Sequence, residues 1–129
     1  MESNHWETEL NKLKQNQYDI VIDAIFGFSF SGDSIREPFK KIISDIKQLK
    51  KDQNTPAIVS VDVPSGWHVE EGNILDSFSS DMLVSMTTPK KSAIFHEGAH
   101  YLGCRFIPQS IADKYQFKIP EEYSYSGCS

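Results

Sequence analysis

The stretch Tyr18-Asp19-Ile20-Val21-Ile22-Asp23-Ala24-Ile25 decides the fold. It is β-branched and apolar at nearly every position. That is the pattern of a strand buried on both faces of a parallel sheet, without the alternation of a strand that has one wet face. A glycine-containing loop follows, Gly27-Phe28-Ser29-Phe30-Ser31-Gly32-Asp33. Residues 36–51 then switch to helical periodicity, with Phe39, Ile42, Ile43, Ile46 and Leu49 on one face. Pro38 falls in the first turn, where its missing N–H costs little. Lys47, Lys50 and Lys51 gather at the other end, where cations suit the helix dipole; they read as a solvated helix end. A second buried strand, Ala57-Ile58-Val59-Ser60-Val61-Asp62, breaks at Val63-Pro64-Ser65-Gly66. Strand, loop, helix, strand is a βαβ unit, expected to be parallel and right-handed.

Working outward, Trp6, Leu10 and Leu13 have helical spacing, which predicts a short amphipathic helix over 4–15. Met82-Leu83-Val84-Ser85-Met86 reads as a third strand, and Thr87-Thr88-Pro89-Lys90-Lys91 as a loop. A last strand is expected within 100–107, a short helix over 109–115, and an irregular tail over 118–129. The fold class is α/β, with parallel strands near 19–25, 57–62 and 82–86 in a three-layer arrangement. A doubly wound sheet normally has strands before its central one, so the N-terminal part of the sheet is expected to be missing from this chain.

Composition narrows the function. The 129 residues allow one domain, with 39% hydrophobic and 24% charged residues, an ordinary globular mix. A net charge of −5 argues against nucleic acid or an anionic membrane as partner. No apolar run approaches the ~20 residues of a membrane span. The polar start, Met1-Glu2-Ser3-Asn4-His5, lacks the features of a signal or transit peptide, so the chain as written is expected in the cytoplasm. A full-length parent could carry a leader upstream and be mitochondrial or secreted. Cys104 and Cys128 are expected as free thiols, and two isolated cysteines make no zinc site.

Chemistry is suggested where acids meet strand ends. Asp23 lies near the end of the first strand and Asp62 closes the second, and ligands of open parallel sheets bind outside those ends. The alternative is that each acid only caps the turn or helix that follows it. The loop 27–33 can offer backbone N–H groups to an anion, yet it has neither P-loop nor GxGxxG spacing, so an ordinary turn remains open. Ser65 and Asp23 can both face one cleft as oxygen donors, a low-charge set that suits a monovalent cation. His96-Glu97-Gly98-Ala99-His100 matches HExxH, but Gly98 and strand-like flanks argue against the helix that a zinc protease needs. Pro64-Ser65-Gly66 is no nucleophile elbow.

Four stretches together resemble the NAD(P)H-hydrate epimerases, the YjeF N-terminal family. They are Asp23-Ala24-Ile25-Phe26-Gly27 with the loop to Asp33 and Arg36-Glu37-Pro38-Phe39; Asp62-Val63-Pro64-Ser65-Gly66-Trp67; Thr88-Pro89-Lys90-Lys91-Ser92-Ala93; and Tyr101-Leu102-Gly103 with Arg105-Phe106-Ile107-Pro108. The phrasing is similar to the animal branch, which includes the apolipoprotein A-I-binding protein. The resemblance implies a Rossmann-like α/β/α sandwich, usually a homodimer. It implies exchange of the R and S forms of hydrated NADH and NADPH (NADHX, NADPHX) at C6 of the nicotinamide ring, a step in nicotinamide nucleotide repair. It further implies one potassium ion per subunit on Asp23 and Ser65, and substrate contacts at Gly27, Phe28, Ser29, Phe30, Ser31, Gly32, Asp33 and Asp62. Asp62 is the candidate catalytic group, and apolipoprotein A-I a candidate partner.

The sequence departs from the family in lacking an earlier Asn-Asn-Gly-Gly-Asp loop, which supplies a further potassium ligand and part of the phosphate cradle. His68 also stands where relatives often have Asp. The chain is therefore expected to be a partial domain, much slower alone than with an upstream half restored. The rival expectations are a non-catalytic protein-binding module and a short form without function.

Overall fold

The computed structural model describes residues 3–30, 34–53, 55–103 and 108–116. Helix α1 spans Ser3–Lys14, strand β1 Ile20–Asp23, helix α2 Phe39–Lys51, β2 Ala57–Val61 and β3 Met82–Met86. A 3₁₀ turn, Lys91–Phe95, leads to β4, Ala99–Gly103, and to the short helix α3, Gln109–Lys114. The four strands lie in the order β1-β2-β3-β4, and every pair is parallel. The expected α/β class with a parallel sheet is therefore observed. The expected tail and both cysteines lie outside the described residues, as do Ser31, Gly32 and Asp33.

Register explains which residues form the core. Val21 pairs with Ile58, Asp23 with Ser60, Ser60 with Leu83 and Leu83 with His100, so these share one face. Helix α2 covers that face with Ile42, Ile43 and Ile46, packed with Ile58 and Phe78. Burying each such aliphatic side chain stabilises the fold by roughly 2 kcal/mol. Helix α1 adds Leu10 and Leu13 against Leu49, and the Trp6 indole N–H donates to Asp45 at 2.8 Å. Helix α2 begins at Phe39, three residues later than expected, so Pro38 is its N-cap and does not sit within its first turn.

Two further expectations need adjustment. The first strand is not covered on both faces: Ile20 is 58% exposed and Ile22 69%. The basic end of α2 is tied down. Lys47 pairs with Asp76, and Lys50 with Asp81 at 2.8 Å, because the segment 73–81 folds back beneath the helix.

Candidate functional site

The ends of β1 and β2 deliver their acids to one place. Asp23, the last residue of β1, is 3% exposed. Its Oδ2 accepts from the Ser60 hydroxyl and from the Ser65 backbone N–H, both at 2.8 Å. Its Oδ1 is buried without a hydrogen-bond partner. Such an atom normally costs about 1–3 kcal/mol unless a donor or a cation meets it. Ser65 is fully buried, and its Oγ accepts from the Phe26 N–H at 3.0 Å. The turn that brings it there is held by Gly66 at φ +86° and by Ser77, whose hydroxyl donates to the Ser65 carbonyl at 2.6 Å. Asp23 and Ser65 are thus brought together at the strand ends.

Asp62 sits one residue beyond β2, at φ +73°, a left-handed conformation that asparagine and aspartate tolerate better than most residues. Its own N–H donates to the Val84 carbonyl at 2.8 Å, which fixes the turn against β3. The bend swings the carboxylate toward the loop after β1. There Oδ2 accepts from the Phe28 N–H at 2.8 Å, and Oδ1 meets the Lys90 ammonium at 2.5 Å. Gly27 lies so near that an added Cβ would stand 3.0 Å from Oδ2. Neither Asp62 nor Asp23 merely caps its own turn; each reaches across to another strand's loop.

The described part of the loop after β1 is anchored at one end. The Phe30 N–H closes a turn on the Gly27 carbonyl at 3.1 Å, and the Phe30 ring stacks on Phe26 with centroids 4.6 Å apart. Phe26 in turn meets Phe39 edge-on at the start of α2. Phe28 and Ser29 point outward, with Phe28 64% exposed. Lys90 follows the C-terminal end of β3, the same rim that carries Asp23 and Asp62, and that position is the sequence signal that distinguishes it from the other lysines. Ser60 gave no signal, because a serine inside a strand reads as filler.

The HExxH pattern lies in no helix. His96 follows the 3₁₀ turn with Nε2 3.0 Å from the Ser80 carbonyl, and His100 belongs to β4 with Nε2 2.7 Å from the Ser85 hydroxyl. Burial holds both imidazoles below their ordinary range. Among the described residues no helix is long and apolar enough to cross a membrane.

One solved structure shares this arrangement of elements, and several proteins are similar to the chain in sequence. A family model described as YjeF-related protein N-terminus matches residues 1–92. A protein of Paramecium tetraurelia named NAD(P)H-hydrate epimerase is 47% identical over 113 residues, 88% of this chain and 45% of that protein. One of the same name from Mycosarcoma maydis is 41% identical over 108 residues, 80% of this chain and 40% of that protein. The pyridoxine/pyridoxamine 5'-phosphate oxidase 1, chloroplastic, of Arabidopsis thaliana is 48% identical over 118 residues, 87% of this chain but 22% of that protein. A crystal structure of yeast ynu0, YNL200c, superposes with a TM-score of 0.73 at 44% identity, covering 85% of this chain and 45% of that one. The chain spans less than half the length of each of these relatives.

Proposed function

The chain belongs to the YjeF-related protein N-terminus family, and on that premise we propose that it acts on hydrated NADH and NADPH, interconverting their R and S forms at C6 of the nicotinamide ring. The observation that carries this reading is the Asp62 carboxylate, tied to the Phe28 N–H at the mouth of the loop after β1. It stands on the rim of a parallel sheet where small ligands bind. Two relatives named NAD(P)H-hydrate epimerase support the substrate class.

The chemistry asks little more of the protein than a placed carboxylate. In one route the C6 hydroxyl gives its proton to Asp62, a C6 carbonyl forms, and the C6–N1 bond breaks with its electron pair going to N1. The proton passes to N1. Addition of N1 to the other face of the carbonyl reverses these transfers and closes the ring with opposite configuration. In the other route the protonated carboxyl gives its proton to the C6 hydroxyl, which leaves as water. The carboxylate then faces a positively charged iminium until water adds to the opposite face and returns the proton. A carboxylate serves both as proton carrier and as counter-charge.

The buried Asp23 Oδ1 without a partner fits a cation held with Ser65. Asp23 supplies the one negative charge and the other donors are neutral oxygens, which suits potassium, the ion implied by the resemblance. When bound, the ion would supply fixed positive charge beside the loop, without redox chemistry. The same proposal assigns substrate contacts to Gly27, Phe28, Ser29, Phe30, Ser31, Gly32, Asp33 and Asp62, of which Ser31, Gly32 and Asp33 lie outside the described residues. The implied homodimer and an apolipoprotein A-I partner belong to the same proposal, tested by sedimentation of the chain alone and with that partner.

A binding module is the second reading. It is favoured by the uncovered sheet face, where Ile20, Ile22 and Tyr101 are all more than half exposed. Mixing the chain with one purified NADHX epimer and following the other by chromatography separates the two. Conversion above an enzyme-free control supports the epimerase reading; a rate equal to that control, for the chain alone and for the chain with an upstream half restored, rejects it and leaves the binding module.

A further inference from the structure

Lys90 carries the strongest unassigned chemistry among the described residues. It follows β3 in the turn that includes Thr87 at φ +67°, and its side chain is 18% exposed beside an Asp62 side chain that is 13% exposed. An ammonium has three N–H donors. All three are directed at oxygens: Asp62 Oδ1 at 2.5 Å, the Met86 carbonyl at 2.8 Å and the Thr88 carbonyl at 3.1 Å. The Thr88 N–H donates to the Met86 carbonyl at 2.7 Å, so the turn itself folds these two carbonyls around the ammonium. The Phe28 ring lies 5.7 Å from the same nitrogen.

We infer that Lys90 is a positioning residue for Asp62, holding its carboxylate in one orientation against the loop after β1. The inference rests on the reading of Asp62 as the group that meets the substrate. With every donor spent inside the protein, Lys90 has none left for a substrate phosphate or for a proton transfer. It acts through Asp62. One carboxylate oxygen is fixed from the β3 side by Lys90 and the other from the β1 side by Phe28, so the side chain cannot rotate about its last bond without losing a partner. The unused lone pairs of the two oxygens then have fixed directions, as a proton carrier needs.

A lysine that contacts substrate, or one that only strengthens the fold, makes different predictions. The test uses the full chain and the variants Lys90→Met, Lys90→Arg and Lys90→Gln, with two readouts. The first is steady-state epimerisation of a single NADHX epimer. Positioning predicts that Lys90→Met lowers kcat about 100-fold while KM moves less than about threefold, and that Lys90→Arg recovers part of the loss; displacement of a catalytic group by ~1 Å costs that much. The second is amide hydrogen exchange at Phe28, whose N–H is held by the Asp62 carboxylate. It should exchange about tenfold faster in Lys90→Met, with Lys90→Arg between. Should Lys90→Met fail to fold, Lys90→Gln, which keeps neutral donors without the charge, is read in its place. A rise in KM at unchanged kcat would make Lys90 a substrate contact and overturn the inference. Unchanged exchange at Phe28 in a folded variant would overturn it equally. If the unmodified chain shows no epimerisation even with an upstream half restored, the proposed function fails, and the exchange measurement still decides whether Lys90 orients Asp62.

Discussion

Replacing Gly27 with alanine tests how tightly the carboxylate of Asp62 is placed. The new Cβ would stand 3.0 Å from Asp62 Oδ2, a few tenths of an ångström inside ordinary contact. Something must yield. Oδ2 is tied to Phe28 at 2.8 Å and Oδ1 to Lys90 at 2.5 Å, so the carboxylate moves only by stretching one of these bonds. Weakening an exposed bond to a charged acceptor costs about 1 kcal/mol. Against this, alanine narrows the unfolded ensemble and stabilises by ~0.4–1 kcal/mol. The two effects nearly cancel, so the melting temperature should hardly move. The rate should move, because a displacement of ~1 Å costs about 100-fold and a few tenths of an ångström roughly tenfold. Thermal unfolding and single-epimer chromatography on the same preparation give both numbers. A variant stabilised by the full ~0.4–1 kcal/mol with a rate within twofold of the original would show slack around Asp62 and refute the reasoning.

Potassium should raise the melting temperature over an equal concentration of choline, by about 1.4 kcal/mol of stability at a tenfold excess over Kd, and Asp23→Asn should abolish that difference; a response retained in the variant would remove Asp23 from the site. Gly98→Ala would push a methyl into the backbone of Asp81, 2.8 Å from its carbonyl carbon, and should cost about 2–4 kcal/mol through overpacking and a weakened strand bond, read as a clear fall in melting temperature. His96 and His100 are held below their ordinary value of 6.5 by burial, so the unfolded chain binds protons first. Their contribution to stability is complete above about pH 6.5 and is lost as pH falls through the depressed folded values. Melting at pH 7.5 should exceed melting at pH 5.5, and His96→Gln with His100→Gln should flatten that slope.

Much of the fold was legible because the signals were local. The β-branched runs placed β1, β2 and β3 within about two residues of their observed ends, and Gly98 inside His96–His100 foretold that no helix would form there. The meeting of Asp23 with Ser65 was legible too, since consecutive parallel strands put their ends on one rim. The rest depended on contacts far apart in the chain. Ile20 and Ile22 read as buried because a parallel strand is normally covered twice, and the pattern cannot say whether a second layer follows. Lys47 and Lys50 read as a wet helix end, because the return of Asp76 and Asp81 beneath them is a tertiary event. Lys90 was one lysine among several until the turn after β3 aimed it at Asp62.

The left-handed backbone of Asp62, at φ +73°, sets an alphabet for that position. Most side chains would add about 1–2 kcal/mol of strain there; asparagine and glycine would not. An alanine scan would therefore mix strain with lost chemistry, and Asn is the substitution that separates them. The same constraint bears on natural drift. A lineage that gave up the reaction while keeping the fold would have few letters open to it at residue 62, so Asn or Gly there would be the written mark of a retired carboxylate.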